Sequence, residues 1–262
     1  MREAEEIISM DGSGLITDVD GTISQIVDDP ANAVVDPRIA ASLDELARQL
    51  SLLALLSGRS VHQLHQLVDI ERLVYVGNHG LERWEAGQAK LVPGAEEYLA
   101  PVATVLRQLR EELSIPGVFV EDKGITGTVH YRLCSDPARA RSAILDAAAR
   151  AAVSAKLRIA EGRKSVSILP AIPFNKGTAV EMLVRDYHLR GVIYLGDDST
   201  DIDAFRSLRR LAGSQGCRTL LIGVCTPESP DELQTAVDFC VPGVEAVAGF
   251  LRECSRFMAS GK

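Results

Sequence analysis

Asp18 and Asp20 stand one residue apart in "LITDVDGTIS", at the end of an apolar run and just ahead of Gly21 and Thr22. In an extended segment, residues i and i+2 point the same way, so both carboxylates can face one reacting group. Such a pair suits phosphoryl transfer. One carboxylate attacks phosphorus, and the other moves a proton to the departing oxygen and later from water. Two like charges this close need compensation. Asp18 and Asp197, the latter in "GDDSTD", offer hard oxygen ligands of the kind Mg²⁺ takes. The main-chain carbonyl of Asp20 adds another, because Gly21 lets the chain turn sharply there. Lys176 in "NKG" places a positive charge at an expected helix start, where anions are already favoured. Ser57 and Gly58 in "LLSGRS" supply a hydroxyl and backbone N–H groups for phosphate oxygens.

These stretches fall at the ends of apolar runs or at the starts of amphipathic ones. "GLIT", "SLLALL", "LVYVG", "GVIYLG" and "RTLLIGV" read as buried strands, and helical patterns separate them. Asp36-Pro37 reads as an N-cap with proline at the first helical position, and Ser60 as the cap of the next helix. The alternation predicts a doubly wound α/β core with a mostly parallel, Rossmann-like sheet. In such sheets ligands bind beyond the carboxyl ends of the strands, so one edge could gather all four stretches. The middle of the chain reads differently: helix, hairpin, helix, hairpin, the last hairpin turning at Glu161-Gly162. We therefore expect a core formed by residues 1–92 and 171–262, interrupted by an α+β cap domain over 93–170.

Composition narrows the class. The chain has 262 residues, 46% hydrophobic and 24% charged, ordinary values for a globular protein. A net charge of −8 argues against nucleic-acid binding, which needs a basic field. The longest apolar stretch, "LLALL", is too short to span a bilayer, and the acidic "MREAEEIISM" does not read as a signal peptide. The five cysteines are odd in number and form no CxxC pair, so they read as reduced thiols of a cytoplasmic protein. His62 and His65 read as solvated, and Trp84 and Tyr131 as packing residues. The sequence carries no signal for oligomeric state.

"DVDGT", "LLSGRS", "NKG" and "GDDSTD" resemble, in order, the four motifs of the haloacid dehalogenase superfamily, the aspartate-nucleophile phosphatases. Within it the chain is most similar to the trehalose-6-phosphate phosphatases, through "DVDGTISQIVDDPANAVVDP", "GNHGLE", "VEDKGITGTVHYR" and "GDDSTDIDAF". The resemblance implies that Asp18 is the nucleophile and Asp20 the general acid and base. It implies that Asp18, Asp20 and Asp197 hold Mg²⁺ with Asp201 in support, and that Ser57, Gly58 and Lys176 bind phosphate. It also implies a phosphorylated sugar as substrate. Glu121 and Lys123 match sugar-contacting cap positions, His130 and Arg132 share a strand face, and Asn78 and His79 lie in a loop facing the sugar. Read without the family, Glu121 and Lys123 could equally form a cross-hairpin ion pair. One departure stands out: in "GRKSVSILP", Ser167 and Leu169 occupy positions where the family has a glutamate and a basic residue. The expected reaction is hydrolysis of trehalose 6-phosphate through an aspartyl-phosphate. The alternatives are another glycosyl or pseudo-disaccharide phosphate, a phosphomutase, or a sensor without turnover.

Overall fold

The computed structural model describes residues 1–261 apart from 86, 163 and 228. The chain divides into two compact units, one formed by Met1–Lys90 with Phe174–Lys262 and the other by Leu91–Pro173.

In the first unit, α1 (Arg2–Ile8) precedes β1 (Ser13–Thr17), α2 (Pro37–Ala47), β2 (Leu52–Leu56), α3 (Val61–Leu67) and β3 (Val74–Gly77). A short hairpin, β4 (Glu82–Glu85) and β5 (Gln88–Leu91), follows. The second unit consists of α4 (Leu99–Glu112), β6 (Phe119–Asp122), β7 (Gly127–His130), α5 (Pro137–Ala155), β8 (Leu157–Gly162) and β9 (Ser165–Pro170). The chain then completes the first unit with α6 (Lys176–Asp186), β10 (Gly191–Gly196), α7 (Ser199–Gln215), β11 (Arg218–Val224), α8 (Asp231–Ala236), β12 (Phe239–Val241) and α9 (Gly243–Ala259).

The large sheet has the order β12-β11-β10-β1-β2-β3-β4-β5. Its six strands from β12 to β3 run parallel, and β4 returns antiparallel to β3. β1, β2 and β10 are buried along their whole length. Strand alternation therefore feeds two cores. Leu15, Leu53, Leu55, Ile193 and Leu195 pack with α1, α2, α3 and α9 on one face. Ile16, Ala54, Leu56, Val192 and Tyr194 pack with α6, α7 and α8 on the other. The expected caps form: Asp36 accepts from the Arg38 N–H at 2.7 Å, and Ser60 makes a reciprocal capping box with Gln63.

The second unit has its own sheet, β6-β7-β9-β8, all antiparallel, and its own core of Val129, Val166 and Ile168 against Leu106, Leu109 and Ile144 of α4 and α5. Tyr131 belongs to this core, in keeping with a packing role. Glu161 and Gly162 lie inside β8, so the last turn comes later than the sequence suggests, with Lys164 left-handed at φ 53°.

The reading of the cysteines needs correction. Cys225 and Cys240 form a disulfide, whereas all five cysteines read as thiols; Cys134, Cys217 and Cys254 are free and buried. The cause is a register no spacing rule reveals. β12 pairs with β11 so that Cys240 faces Gly223, and the Cys225 N–H donates to the Val241 carbonyl at 2.9 Å. That places the two Cα atoms 5.6 Å apart, within bridging range. His62 is exposed, as expected, and His65 half-buried; both rings also pack on Trp84 at about 5 Å. No described helix is long and apolar enough to cross a membrane.

Candidate active site

Adjacent strands β10, β1 and β2 deliver Asp197, Asp18 and Ser57 at their carboxyl ends. Asp18 continues the β1 line, its N–H donating to the Leu195 carbonyl at 2.8 Å. The chain then folds back at once: the N–H groups of Thr22, Ile23 and Ser24 all donate to the Val19 carbonyl. Gly21 sits at φ 90°, and a Cβ there would lie 2.2 Å from Asp197 Oδ2. Only glycine allows the Asp197 carboxylate to press against this turn.

Lys176 arrives from the first residue of α6. Asn175 caps that helix, accepting from the Thr178 N–H and donating its Nδ2 to Asp203 Oδ2 at 2.9 Å. The Lys176 Nζ donates to Asp18 Oδ1 and to Asp201 Oδ1, each at 2.8 Å. Asp201 Oδ1 also accepts from the Tyr194 hydroxyl at 2.7 Å, and its Oδ2 accepts from the N–H groups of Asp197 and Asp198 at 3.1 Å. These four bonds match the acceptor capacity of one carboxylate. Asp198 caps α7 at its start.

Asp18, Asp197, Asp201 and Lys176 are all buried. Burial pushes the Asp18 carboxyl up, to about 7, against the pull of Lys176; Asp201 and Asp20 add to the rise. Burial alone would lower the Lys176 ammonium, but Asp18 and Asp201 outweigh it and hold its pKa above the ordinary lysine value. Burial and the nearby carboxylates keep the Tyr194 phenol protonated, far above its usual range. The ligand oxygens of Asp18, Asp197 and Asp201 lie within 4.8 Å of one another. Three buried carboxylates around one ammonium leave an excess of anion that costs free energy to bury. An all-oxygen donor set with that excess fits a hard divalent cation.

Asp20 takes a different position from Asp18. Its carboxylate is half-exposed and held by the Arg59 guanidinium, Nε to Oδ2 and Nη2 to Oδ1, both at 2.7 Å. Arg59 also donates to the Pro30 carbonyl at 3.0 Å. Ser57 Oγ accepts from the Arg59 N–H at 3.2 Å. Gly58 lies under the His79 ring, where a Cβ would come within 2.6 Å of the imidazole. Asn78 and His79 are left-handed, at φ 49° and 60°. Their N–H groups donate to the carbonyls of Arg59 and Ser57, at 2.7 and 2.9 Å, which ties the two loops together. Buried Glu82 accepts from the Val61 N–H at 2.6 Å and hydrogen-bonds the Asn78 side chain.

In the second unit, Glu121 is buried and its Oε2 meets His130 Nε2 at 2.8 Å and Lys123 Nζ at 3.5 Å. Glu121 and Lys123 thus form the ion pair of the simpler reading, with His130 as a third member. Arg132 follows the end of β7 and is half-buried. Ser167 shares a sheet row with Glu121, Thr128 and Ala160.

Arg59 lies in the "LLSGRS" stretch read from the sequence but received no role there, and Tyr194 and Glu82 were not singled out. Each left a trace: a cation in the polar stretch after β2, a hydroxyl inside an otherwise apolar strand, and an acid directly after an apolar residue beyond a glycine-flanked loop. A buried tyrosine needs a partner for its hydroxyl, and Asp201 supplies it.

Comparison with known proteins gives the fold and the family of this chain. Solved structures give the fold: the crystal structure of a trehalose-6-phosphate phosphatase related protein superposes with a TM-score of 0.81 at 20% identity, covering 95% of this chain and 100% of that one. The C-terminal domain of the C. albicans trehalose-6-phosphate phosphatase gives 0.80 at 20% identity, over 97% and 96%. Among curated sequences, probable trehalose-phosphate phosphatase 3 of Oryza sativa subsp. japonica is 31% identical over 93% of this chain and 69% of its own length. Trehalose-phosphate phosphatase B of Arabidopsis thaliana is 29% identical over 74% and 56%. The chain thus spans between about half and two thirds of these relatives. The sequence model of the trehalose-phosphatase family matches residues 16–232, a span running from β1, which ends beside Asp18, through Lys176 and the Asp197–Asp201 turn, and on this match the chain belongs to that family.

Proposed function

We propose that this chain is a Mg²⁺-dependent phosphatase that hydrolyses trehalose 6-phosphate to trehalose and phosphate through an aspartyl-phosphate on Asp18. The observation that supports it most is the buried Asp18 at the end of β1, bonded to Lys176 and grouped with Asp197 and Asp201 in a chain of this family. Asp18 and Asp197, with the Asp20 main-chain carbonyl, would hold the cation, which supplies positive charge against the anionic phosphate. Asp201, with its acceptor sites taken, steadies Lys176 and the Asp197 main chain.

In the first half-reaction an Asp18 oxygen attacks phosphorus. The bond from phosphorus to the sugar oxygen breaks, its electron pair stays on that oxygen, and the Asp20 carboxyl gives it a proton. In the second, Asp20 takes a proton from water as the water oxygen attacks phosphorus, and the bond to Asp18 breaks. Lys176 keeps the Asp18 carboxylate in line throughout and faces the phosphate with fixed charge. Ser57 and the main chain at Gly58 hold phosphate oxygens. Residues 91–173 serve as the cap, with Glu121, Lys123, His130 and Arg132 as its own sugar-binding candidates; Asn78 and His79 are the candidates within the first unit.

Phosphate release from trehalose 6-phosphate, set beside a panel of sugar phosphates with and without Mg²⁺, tests this reading, with Asp18→Asn as the blank. A preference for trehalose 6-phosphate of orders of magnitude supports it; no turnover of any phosphate with Mg²⁺ present overturns it. Ser167 favours a second reading. It puts a short uncharged side chain in the row of Glu121 and Thr128, which suits a glycosyl phosphate with one fewer hydroxyl to be bound by an acid. A different winner in the panel would select that reading.

A further inference from the structure

The Arg59 guanidinium has no place in the reaction as written, yet it makes the most directional ion pair of the site. Two parallel N–H···O bonds of 2.7 Å bind both oxygens of Asp20, and a third bond of 3.0 Å fixes the same guanidinium to the Pro30 carbonyl. The Arg59 side chain is 9% exposed, so its orientation is set by packing as well as by these bonds. A forked, planar donor of this kind fixes the plane of a carboxyl group, which a point charge does not. Arg59 also belongs to the Ser57–Arg59 loop, locked to the turn at Asn78 and His79 through the Arg59 carbonyl. One residue therefore connects Asp20 to the loop expected to hold phosphate.

We propose that Arg59 is a positioning residue for proton transfer: its fork holds the Asp20 carboxyl group in the orientation from which it protonates the leaving oxygen. In a protonated carboxyl the O–H donates, and the carbonyl oxygen remains the stronger acceptor. Arg59 retains its bond to that oxygen while the O–H on the other faces the leaving group, and it regains both bonds once the proton has moved. The inference rests on the proposed acid and base role of Asp20.

Leaving-group chemistry separates positioning from mere structural support. A sugar alcohol leaves poorly without a proton, whereas p-nitrophenolate leaves readily without one. The experiment is rapid-mixing measurement of alcohol release in the first turnover, with Mg²⁺, from trehalose 6-phosphate and from p-nitrophenyl phosphate. The variants are Asp20→Asn, Arg59→Lys and the two combined. Asp20→Asn should slow trehalose release by about 100-fold or more and p-nitrophenol release far less. Arg59→Lys keeps the charge and loses the fork. It should slow trehalose release by about tenfold or more with the same selectivity, and with KM moving much less than kcat. Added to Asp20→Asn, it should cost nothing further. Equal slowing of both leaving groups, no slowing, or full additivity overturns the proposal. Arg59→Gln, which keeps amide donors, replaces Arg59→Lys if the latter fails to fold. If the unaltered chain releases no trehalose, the substrate reading fails instead, and glycerol phosphate against p-nitrophenyl phosphate gives the same comparison for Arg59.

Discussion

Lys176 binds two buried carboxylates, and they in turn hold its ammonium in place. Replacing it by methionine would leave Asp18 and Asp201 close together without their shared cation. In metal-free buffer, Lys176→Met should lose about 3–5 kcal/mol in urea unfolding, and Mg²⁺ should restore part of that loss; an unchanged midpoint would contradict the geometry. Glu82 gives a prediction about pH. Burial raises its carboxyl above 4.5, against the Val61 N–H and the Asn78 side chain. The folded state thus holds this proton more tightly than the unfolded chain. Its contribution to stability is full below the unfolded value and fades as pH climbs through the folded one. Glu82→Gln cannot ionise. Its melting temperature, taken relative to the unaltered protein, should therefore rise from pH 4 to pH 8, to give about the whole window. Of the residues that matter here, the sequence made those with local spacing legible, Asp18 and Asp20 above all. Pairings such as Arg59 with Asp20 or Tyr194 with Asp201 depend on which strands become neighbours, and no local pattern encodes that.

Among the elements, the strands that carry the site were the easiest to read. β1, β2 and β10 are covered on both faces, so they appear as unbroken apolar runs ending in polar residues. β4, β5 and β12 lack that signature: they are three or four residues long and largely polar or exposed, and pairing in the sheet, not their composition, makes them strands. The start of α6 shows how an element serves the chemistry. Asn175 joins the α6 terminus to Asp203 of α7, next to Lys176. Asn175→Ala should cost about 1–2 kcal/mol as a lost cap. The matched change at the α2 cap, Asp36→Ala, should cost a similar amount. Phosphate release should fall much further for Asn175→Ala, since only that cap adjoins the site; equal activities in the two variants would count against this link.

At the scale of the whole molecule, the disulfide fastens the β12 edge to the end of β11. Denatured protein without reductant should titrate three thiols, and five after reduction. Native protein should react slowly, because burial raises all three free thiols, Cys254 to about 12. Reduction should lower stability by about 3 kcal/mol, the effect expected for a loop of this size, as read from the shift in melting temperature. The order of the large sheet also bears on synthesis. β1 lies between β2, made soon after it, and β10, which follows the whole of residues 91–173. At roughly 5–20 residues per second, the β1 edge would wait on the order of ten to thirty-five seconds at the ribosome for its second neighbour. The inserted unit pairs mostly through hairpins and adjacent helices, so it can close while that edge is still open. Pulsed proteolysis of stalled nascent chains should find residues 91–173 protected before residues 1–90. The segment that interrupts the core in sequence would then be the first part of the protein to leave the ribosome folded.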